Sequence, residues 1–454
     1  MTGPATRREH DLLGEREVPA DAYWGIHTLR ALENFPISGQ PIGADAELVT
    51  ALATVKEAAA EANRELGLLE DAKAEAIRGG ALHDQFVVDL IQGGAGTSTN
   101  MNANEVVANR ALELLGRPRG DYRALHPNEH VNLCQSTNDV YPTALKLALI
   151  AAARRLTAAM ALLREAFEAK AREHDEVVKV GRTQLQDAVP MTLGQELGAF
   201  AVMLGEDEAR LEEAVLLLHE INLGATAIGT GIAAHPRFGR SARAHLARIA
   251  ELPVVAADDL VEATQDAGVF VQVSGVLKRS AIKLSKVCND LRLLSSGPRA
   301  GLGEIRLPPV QAGSSIMPGK VNPVIPEVVN QIAFEIVGND VTVTMAAEAG
   351  QLQLNAFEPI IYRALAAGFA HLGAGCRVLA ERCVAGIEAD RPLLRRRVDH
   401  SLGLITALSP RIGYEAATEI ARRANDSGDS VAELAVGMGL VSDEELRALL
   451  RGVR

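Results

Sequence analysis

Ser314, Ser315, Lys320 and Asn322 fall within one short stretch, LPPVQAGSSIMPGKVNPVIPE at residues 307–327. The serines are the only nucleophilic or proton-accepting side chains between Gly313 and Pro323; the lysine adds a positive charge and the asparagine an amide donor. Pro308, Pro309, Pro318, Pro323 and Pro326 each fix φ and remove a backbone donor, so the stretch is expected to be an ordered loop or a mobile lid. The residues behind it, VVNQIAFEIVGNDVTVTMAAEAGQLQLN, contain few breakers and read as a long buried helix. A loop feeding a helix N-terminus meets unpaired N–H groups and the positive end of the helix dipole, a setting that holds anions. A purely structural loop with incidental hydroxyls would have the same composition, and neither serine has a histidine beside it in sequence.

Three further polar clusters interrupt apolar sequence. Thr97, Ser98, Thr99 and Asn100 follow the glycines of GGAG and open a helical pattern ending near Gly116. One such residue suffices as an N-cap, so four in a row point to binding. Ser136, Thr137, Asn138 and Asp139 precede a second helical pattern with Pro142 in its first turn. Gly181, Arg182, Thr183, Gln184 and Gln186 separate two more. Unpaired buried hydroxyls and amides cost about 1–3 kcal/mol each, a cost that a shared ligand removes. The set of Thr97, Ser98, Ser136, Thr137, Asn138, Thr183, Gln184, Ser314, Lys320 and Asn322 is donor-rich, carries the single positive charge of Lys320, and contains neither a carboxylate cluster nor a Cys/His metal set. It suits a small, oxygen-rich anion such as a dicarboxylate.

The elements that must position these clusters are helices. Residues 1–45 carry turn signals and short extended pieces, with room for a hairpin. Helical periodicity covers 44–66 and 70–78, the latter ending at Gly79-Gly80, and then runs from the second cluster to about His174. At 1.5 Å per residue that is a rod of roughly 50 Å, which needs partners along its whole length and predicts a multi-helix bundle. Long patterns recur at about 192–221, 266–295 and 358–389, and residues 392–454 switch to short, charged helices. The expected fold is all-α, a long-helix bundle with small N- and C-terminal domains divided as 1–134, 135–390 and 391–454. The last of these, remote in sequence from the polar clusters, is not expected to supply the chemistry.

Composition narrows the partners. Aromatic residues make up only 3% against 48% hydrophobic, so the core must be built from Ala, Leu, Val and Ile, which favours closely packed helices. A net charge of −12 opposes a nucleic-acid or anionic-membrane surface, since either needs a basic stripe. Cys134, Cys288, Cys376 and Cys383 lack metal or disulfide spacing, as expected for a reducing, cytoplasmic setting. The N-terminus has no apolar h-region, and no apolar run approaches the roughly twenty residues of a membrane span.

The run GSSIMPGKVNP at residues 313–323 resembles the signature of the aspartase/fumarase superfamily, whose members eliminate an amine or water from a succinyl-type substrate to give fumarate. GGAGTSTNMNANE, HPNEHVNLCQSTNDVYPT and VGRTQLQDAVPMTLGQE resemble its other substrate-contact segments, in their usual order and separation. Four ordered motifs are specific where a lone GSS is weak, and the similarity covers most of residues 11–450. EVPADAYWGIHTLRALENF, VIPEVVNQ and TMAAEAGQLQLNAFEPII are similar to the aspartase branch; fumarases usually show TQRS where this chain has HTLRA.

This resemblance implies reversible deamination of L-aspartate to fumarate and ammonia, with Ser314 as the base, acting as an alkoxide, and an aci-carboxylate intermediate. It implies substrate contacts from Thr97, Ser98, Thr99, Ser136, Thr137, Asn138, Thr183, Gln184, Ser315, Lys320 and Asn322, with Lys320 and Asn322 holding a carboxylate. No prosthetic group or metal is called for, and the divalent activation known in some aspartases leaves no signature here. A homotetramer is expected, its sites combining segments from three subunits. The alternative substrate is malate, as in fumarate hydratase. Hydroxide needs an acid to leave whereas ammonium departs already protonated, and Gln184 can orient but not shuttle a proton. A non-catalytic binding protein on the same fold is the reading of a different class; the presence of Ser314, Lys320 and Asn322 argues against it.

Overall fold

The computed structural model describes residues 5–78 and 82–452, so the Gly79-Gly80 turn signal lies outside the described residues. In chain order the elements are β1 (Thr6–Asp11), β2 (Gly14–Pro19), α1 (Ile26–Asn34), α2 (Ala46–Glu65), α3 (Asp71–Ile77), α4 (Thr97–Leu114) and α5 (Thr137–Glu173). Next come β3 (Val178–Thr183), β4 (Gln186–Thr192), α6 (Leu193–Leu216), β5 (Glu220–Ile221), α7 (Thr226–Gly229), α8 (Phe238–Ala250), β6 (Val255–Ala256), α9 (Glu262–Gln265) and α10 (Gly268–Leu294). The chain closes with β7 (Ile305–Arg306), α11 (Val324–Glu348), α12 (Glu358–Arg382), β8 (Glu388–Ala389), α13 (Arg391–His400), α14 (Gly403–Ile412), α15 (Tyr414–Ser427), α16 (Val431–Gly437) and α17 (Asp443–Arg451).

Helices dominate, as the periodicity requires. The 37-residue α5 spans roughly 55 Å, and α6, α10, α11 and α12 are each 24 to 27 residues long. Two compact units share the chain. The first comprises Met1–Leu156, Arg210–Lys278 and Glu335–Ala370; the second comprises Thr157–Ala209, Arg279–Phe334 and His371–Arg454.

In the first unit, β1 and β2 form the hairpin for which the opening residues had room, pairing Thr6 with Pro19 and Asp11 with Gly14. Asp45 caps α2 by accepting from Leu48 N, and the helix buries Leu48, Leu52, Val55, Ala59 and Ala62. Ala108, Ala111 and Leu112 of α4 share a core with Ala74 and Ile77 of α3. Small alanines let these backbones approach closely.

The second unit contains a core built from Val180 of β3 and the C-terminal helices, including Val398, Leu404, Leu408, Ile420 and Val431. Gly403, at the start of α14, lies so close to β4 that a Cβ there would come within 1.7 Å of the Ala188 carbonyl oxygen. The tail after residue 390 is therefore the platform on which the β3–β4 hairpin stands.

Two local expectations are corrected. The third polar cluster is not an irregular loop between helices but the tip of an antiparallel hairpin, with Thr183 paired to Gln186. The helix after the serine loop is buried on one face only. Val329, Ala333, Ile336 and Val343 of α11 are buried, whereas Phe334, Val337, Val341 and Met345 are exposed, Phe334 to 66%. Apolar content alone does not decide which face of a helix its own chain buries. Among the described residues, no helix is long and apolar enough to cross a membrane.

Candidate active site

Two of the polar clusters meet in the first unit. Gly96 sits at the N-cap of α4 with φ +85, and a Cβ there would come within 2.3 Å of the Tyr141 ring. Only glycine allows α4 to start this close to α5. Thr97 is then exposed and Ser98 half-buried, while Thr99 is fully buried, its N–H and hydroxyl both donating to Gln92 Oε1 at 3.0 and 3.1 Å. Thr99 thus braces the GGAG turn from beneath.

Asn100 joins the clusters, donating through Nδ2 to Thr137 Oγ1 at 3.0 Å and to Asn132 Oδ1 at 3.2 Å. Ser136 and Thr137 are half-buried at the start of α5. The Ser136 N–H donates to Asp139 Oδ1 at 3.0 Å, and the Asn138 N–H donates to Ser136 Oγ at 3.2 Å. Asn138 Nδ2 donates to the Ala227 carbonyl at 2.7 Å, and Asn222 Nδ2 returns a bond to the Asn138 carbonyl at 3.0 Å.

Beneath these hydroxyls lies a buried charged layer, of which the sequence placed Asp139 in the second cluster but did not single out Lys56. Asp139 is fully buried and accepts from the N–H groups of Gly224 and Thr226 at 3.2 and 3.0 Å. Burial pushes its carboxyl up to about 6, against the pull of those hydrogen bonds and of Lys56. Lys56 of α2 is also buried, which pushes its ammonium down to about 7, and it donates to Asn132 Oδ1 and Gln135 Oε1, both at 3.0 Å. The run NLGATAIGTG reads in sequence as a Gly-rich turn. Asp139 pulls it against α5, with Thr226 and Ala227 held at positive φ, and only that backbone strain marks it as more than a connection.

The other two clusters belong to the second unit. Gln184 and Leu185 occupy the two-residue turn of the β3–β4 hairpin with φ of 54 and 63. Successive left-handed residues suit the twist of a tight hairpin, but non-glycine residues there cost about 1–3 kcal/mol each, strain that tends to collect at functional sites. Thr183, Gln184 and Leu185 are all exposed.

The serine loop is folded on itself. Gly313 N–H donates to the Lys320 carbonyl at 2.9 Å, and Asn322 Nδ2 donates to the Gly313 carbonyl at 2.7 Å. A Cβ at residue 313 would lie 2.5 Å from that Lys320 oxygen, so the closure requires glycine. Inside the loop Ser314 Oγ accepts from the N–H groups of Ile316 and Met317 at 3.2 and 2.9 Å. No such pair of donors serves Ser315 among the described residues. Lys320 is exposed, and the loop borders a cavity of about 900 Å³ that Lys320, Asn322, Arg292 and Arg306 help to line. Among the described residues no group of three His, Cys, Asp or Glu side chains could hold a metal ion.

Fold and loop place the chain in the lyase class: a family profile described as "Lyase" matches residues 14–338, and one described as "Fumarase C C-terminus" matches residues 404–452. A crystal structure described as fumarate lyase:delta crystallin from Brucella melitensis bound to cobalt superposes with a TM-score of 0.96 at 56% identity, covering 99% of both chains. A class II fumarase from Schistosoma mansoni superposes with a TM-score of 0.91 at 33% identity, covering 99% of this chain and 98% of that one. Aspartate ammonia-lyase of Pseudomonas fluorescens is 58% identical over 98% of this chain and 95% of its own length. The enzyme of the same name from Escherichia coli K12 is 52% identical over 97% and 94%. The chain belongs to the aspartate ammonia-lyase family, carbon–nitrogen lyases within that class.

Proposed function

We propose that this chain interconverts L-aspartate with fumarate and ammonia, with Ser314 removing the Cβ proton. The reading is carried by identity of 52–58% with enzymes named aspartate ammonia-lyase along nearly the whole chain. The carbon acid beside the β-carboxylate is very weak, so catalysis must come from stabilising the dianionic aci-carboxylate that forms when its proton leaves. The two N–H groups aimed at Ser314 Oγ support its assignment, because hydrogen bonds to an alkoxide favour the charged form. The N-terminus of α11 and the Lys320 ammonium add positive potential.

In this reading Lys320 and Asn322 hold one carboxylate, with Ser315 beside them. Thr97, Ser98, Ser136, Thr137, Asn138 and Thr183 take the other carboxylate and the amine. Thr99 supports the first of these from below, and Gln184 orients the substrate without carrying a proton. The exposed stripe of Phe334, Val337, Val341 and Met345 on α11 supports a homotetramer, in which segments from three subunits complete each site. The four cysteines are free, which fits a reducing cytoplasm.

The test follows fumarate appearance from L-aspartate and from L-malate on one preparation, with ammonia release measured in parallel. Fumarate and ammonia should appear together from aspartate. Equal or faster conversion of malate would transfer the assignment to a fumarate hydratase, and no conversion of either would leave a binding protein on the lyase fold.

A further inference from the structure

We infer that Glu304 is a positioning residue for the reaction: one buried carboxylate fixes the root of the hairpin carrying Thr183 and Gln184 against the root of the loop carrying Ser314. The inference rests on the proposed function, which assigns substrate contacts to both segments. Glu304 is fully buried and immediately precedes β7. Its main chain is tied on both sides, the N–H donating to the Leu294 carbonyl at 2.9 Å and the carbonyl accepting from Asp390 N at 3.0 Å. The backbone therefore aims the side chain before any ion pair forms.

Three cations converge on it. Arg182 Nη2 donates to Oε1 at 2.5 Å and Arg397 Nη1 to the same oxygen at 3.0 Å. Lys179 Nζ lies 2.9 Å from Oε2 and also donates to Glu196 Oε2 at 2.6 Å. Lys179 and Arg182 both belong to β3, where residues three apart ordinarily face opposite sides. The register shift between Val180 and Arg182 lets both reach one carboxylate, an arrangement that a plain hairpin would not produce.

The geometry bears directly on the site. Arg182 is the neighbour of Thr183, and the proline-rich stretch containing Ser314 begins at Leu307, three residues beyond Glu304. Two carboxylates, Glu304 and Glu196, offset three cations. Without the Glu304 charge, three positive groups lose the anion they share, and the hairpin loses its attachment to the strand that leads into the loop. Arg397, on α13, touches the same oxygen but leads to neither substrate-bearing segment, so it separates general stability from positioning.

The test compares Glu304→Gln, which keeps the size and one acceptor, with Arg397→Gln. For Glu304→Gln, kcat/KM toward L-aspartate should fall about 10- to 100-fold, the scale of an ångström-sized misplacement. Amide hydrogen exchange should accelerate in both residues 178–192 and 305–323. For Arg397→Gln, kcat/KM should stay within about twofold of wild type, whatever its melting temperature, because Lys179 and Arg182 still tie the hairpin to Glu304. Exchange does not depend on the reaction: a wild type that fails to make fumarate defeats the functional reading, while exchange still reports on the tie. Unchanged kcat/KM in Glu304→Gln, unchanged exchange in either segment, or an equal loss in Arg397→Gln overturns the inference. If Glu304→Gln does not fold, the double variant Lys179→Gln/Arg182→Gln replaces it, since it cuts both of the hairpin's contacts with Glu304 and leaves Arg397 in place; the same fall in kcat/KM and the same faster exchange support the inference, and their absence overturns it.

Discussion

The side-chain amide of Asn100 donates to Thr137 Oγ1 at 3.0 Å, binding the opening turn of α4 to the start of α5. Through this one bond, two polar clusters far apart in sequence become one surface. Asn100→Ala should leave Thr137 Oγ1 without its buried donor, at about 1–3 kcal/mol, whereas Asn132 Oδ1 keeps Lys56 and Asn104. With Thr137 free to rotate, KM for L-aspartate should rise more than kcat falls. Steady-state kinetics with a thermal melt checks this, and an unchanged KM in a folded variant would separate Thr137 from substrate binding.

Ser314→Ala should retain the fold and lower turnover by about 10² to 10⁴, the usual scale of a general base. Ser315→Ala should be milder, because the paired backbone donors serve Ser314. Single-substrate kinetics on both variants decides it; the opposite ranking moves the base to Ser315.

Gly96→Ala should destabilise the protein by about 2–4 kcal/mol, combining the cost of a left-handed alanine with a clash against a buried ring. The new Cβ would lie 2.3 Å from Tyr141, which is only 2% exposed and has little room to move. Denaturant unfolding measures the loss. A simultaneous Tyr141→Leu change should recover part of it, and no recovery would place the strain in the backbone alone.

Acid should act through Glu304. Burial raises its carboxyl, but Arg182 and Lys179 outweigh that effect and leave it below the ordinary value of 4.5. A depressed carboxylate contributes stability that is complete above about pH 4.5 and is lost as pH falls through the lower folded value. Wild type should therefore melt above Glu304→Gln at pH 7, and the gap should narrow below pH 4.5. Melting curves between pH 7 and pH 3 test this; a gap that does not change with pH would remove the charge from the explanation.

If the proposed tetramer forms through the exposed stripe of α11, Val341→Glu should break it while leaving each chain folded. Val341 is 57% exposed in the chain, so the charge costs the fold little, yet it would be buried without a partner in a helix-to-helix interface. Sedimentation and circular dichroism should show smaller, still helical particles with little activity. A fully active variant of unchanged size would place the interface elsewhere.

By itself the sequence determined the helices, because periodicity and breakers are local. The bounds expected near 44–66 and 266–295 are found as Ala46–Glu65 and Gly268–Leu294, and the 37-residue rod begins beside Ser136. It also revealed four polar clusters, since hydroxyls and amides at helix starts and among prolines stand out against apolar surroundings. Tertiary structure alone decided how those clusters are held. The hairpin at Gln184 and Leu185 lacks the Asn-Gly signal of a tight turn and exists because the C-terminal helices and Glu304 grip its root. Lys56, Asp139 and Glu304 look like ordinary charges in the chain, and burial gives them their roles. The two faces of α11 are nearly equally apolar as text, so only packing could say which one the chain covers itself. Local residue order fixes backbone preference, whereas the dielectric around a charge depends on segments 76 to 122 residues apart in sequence.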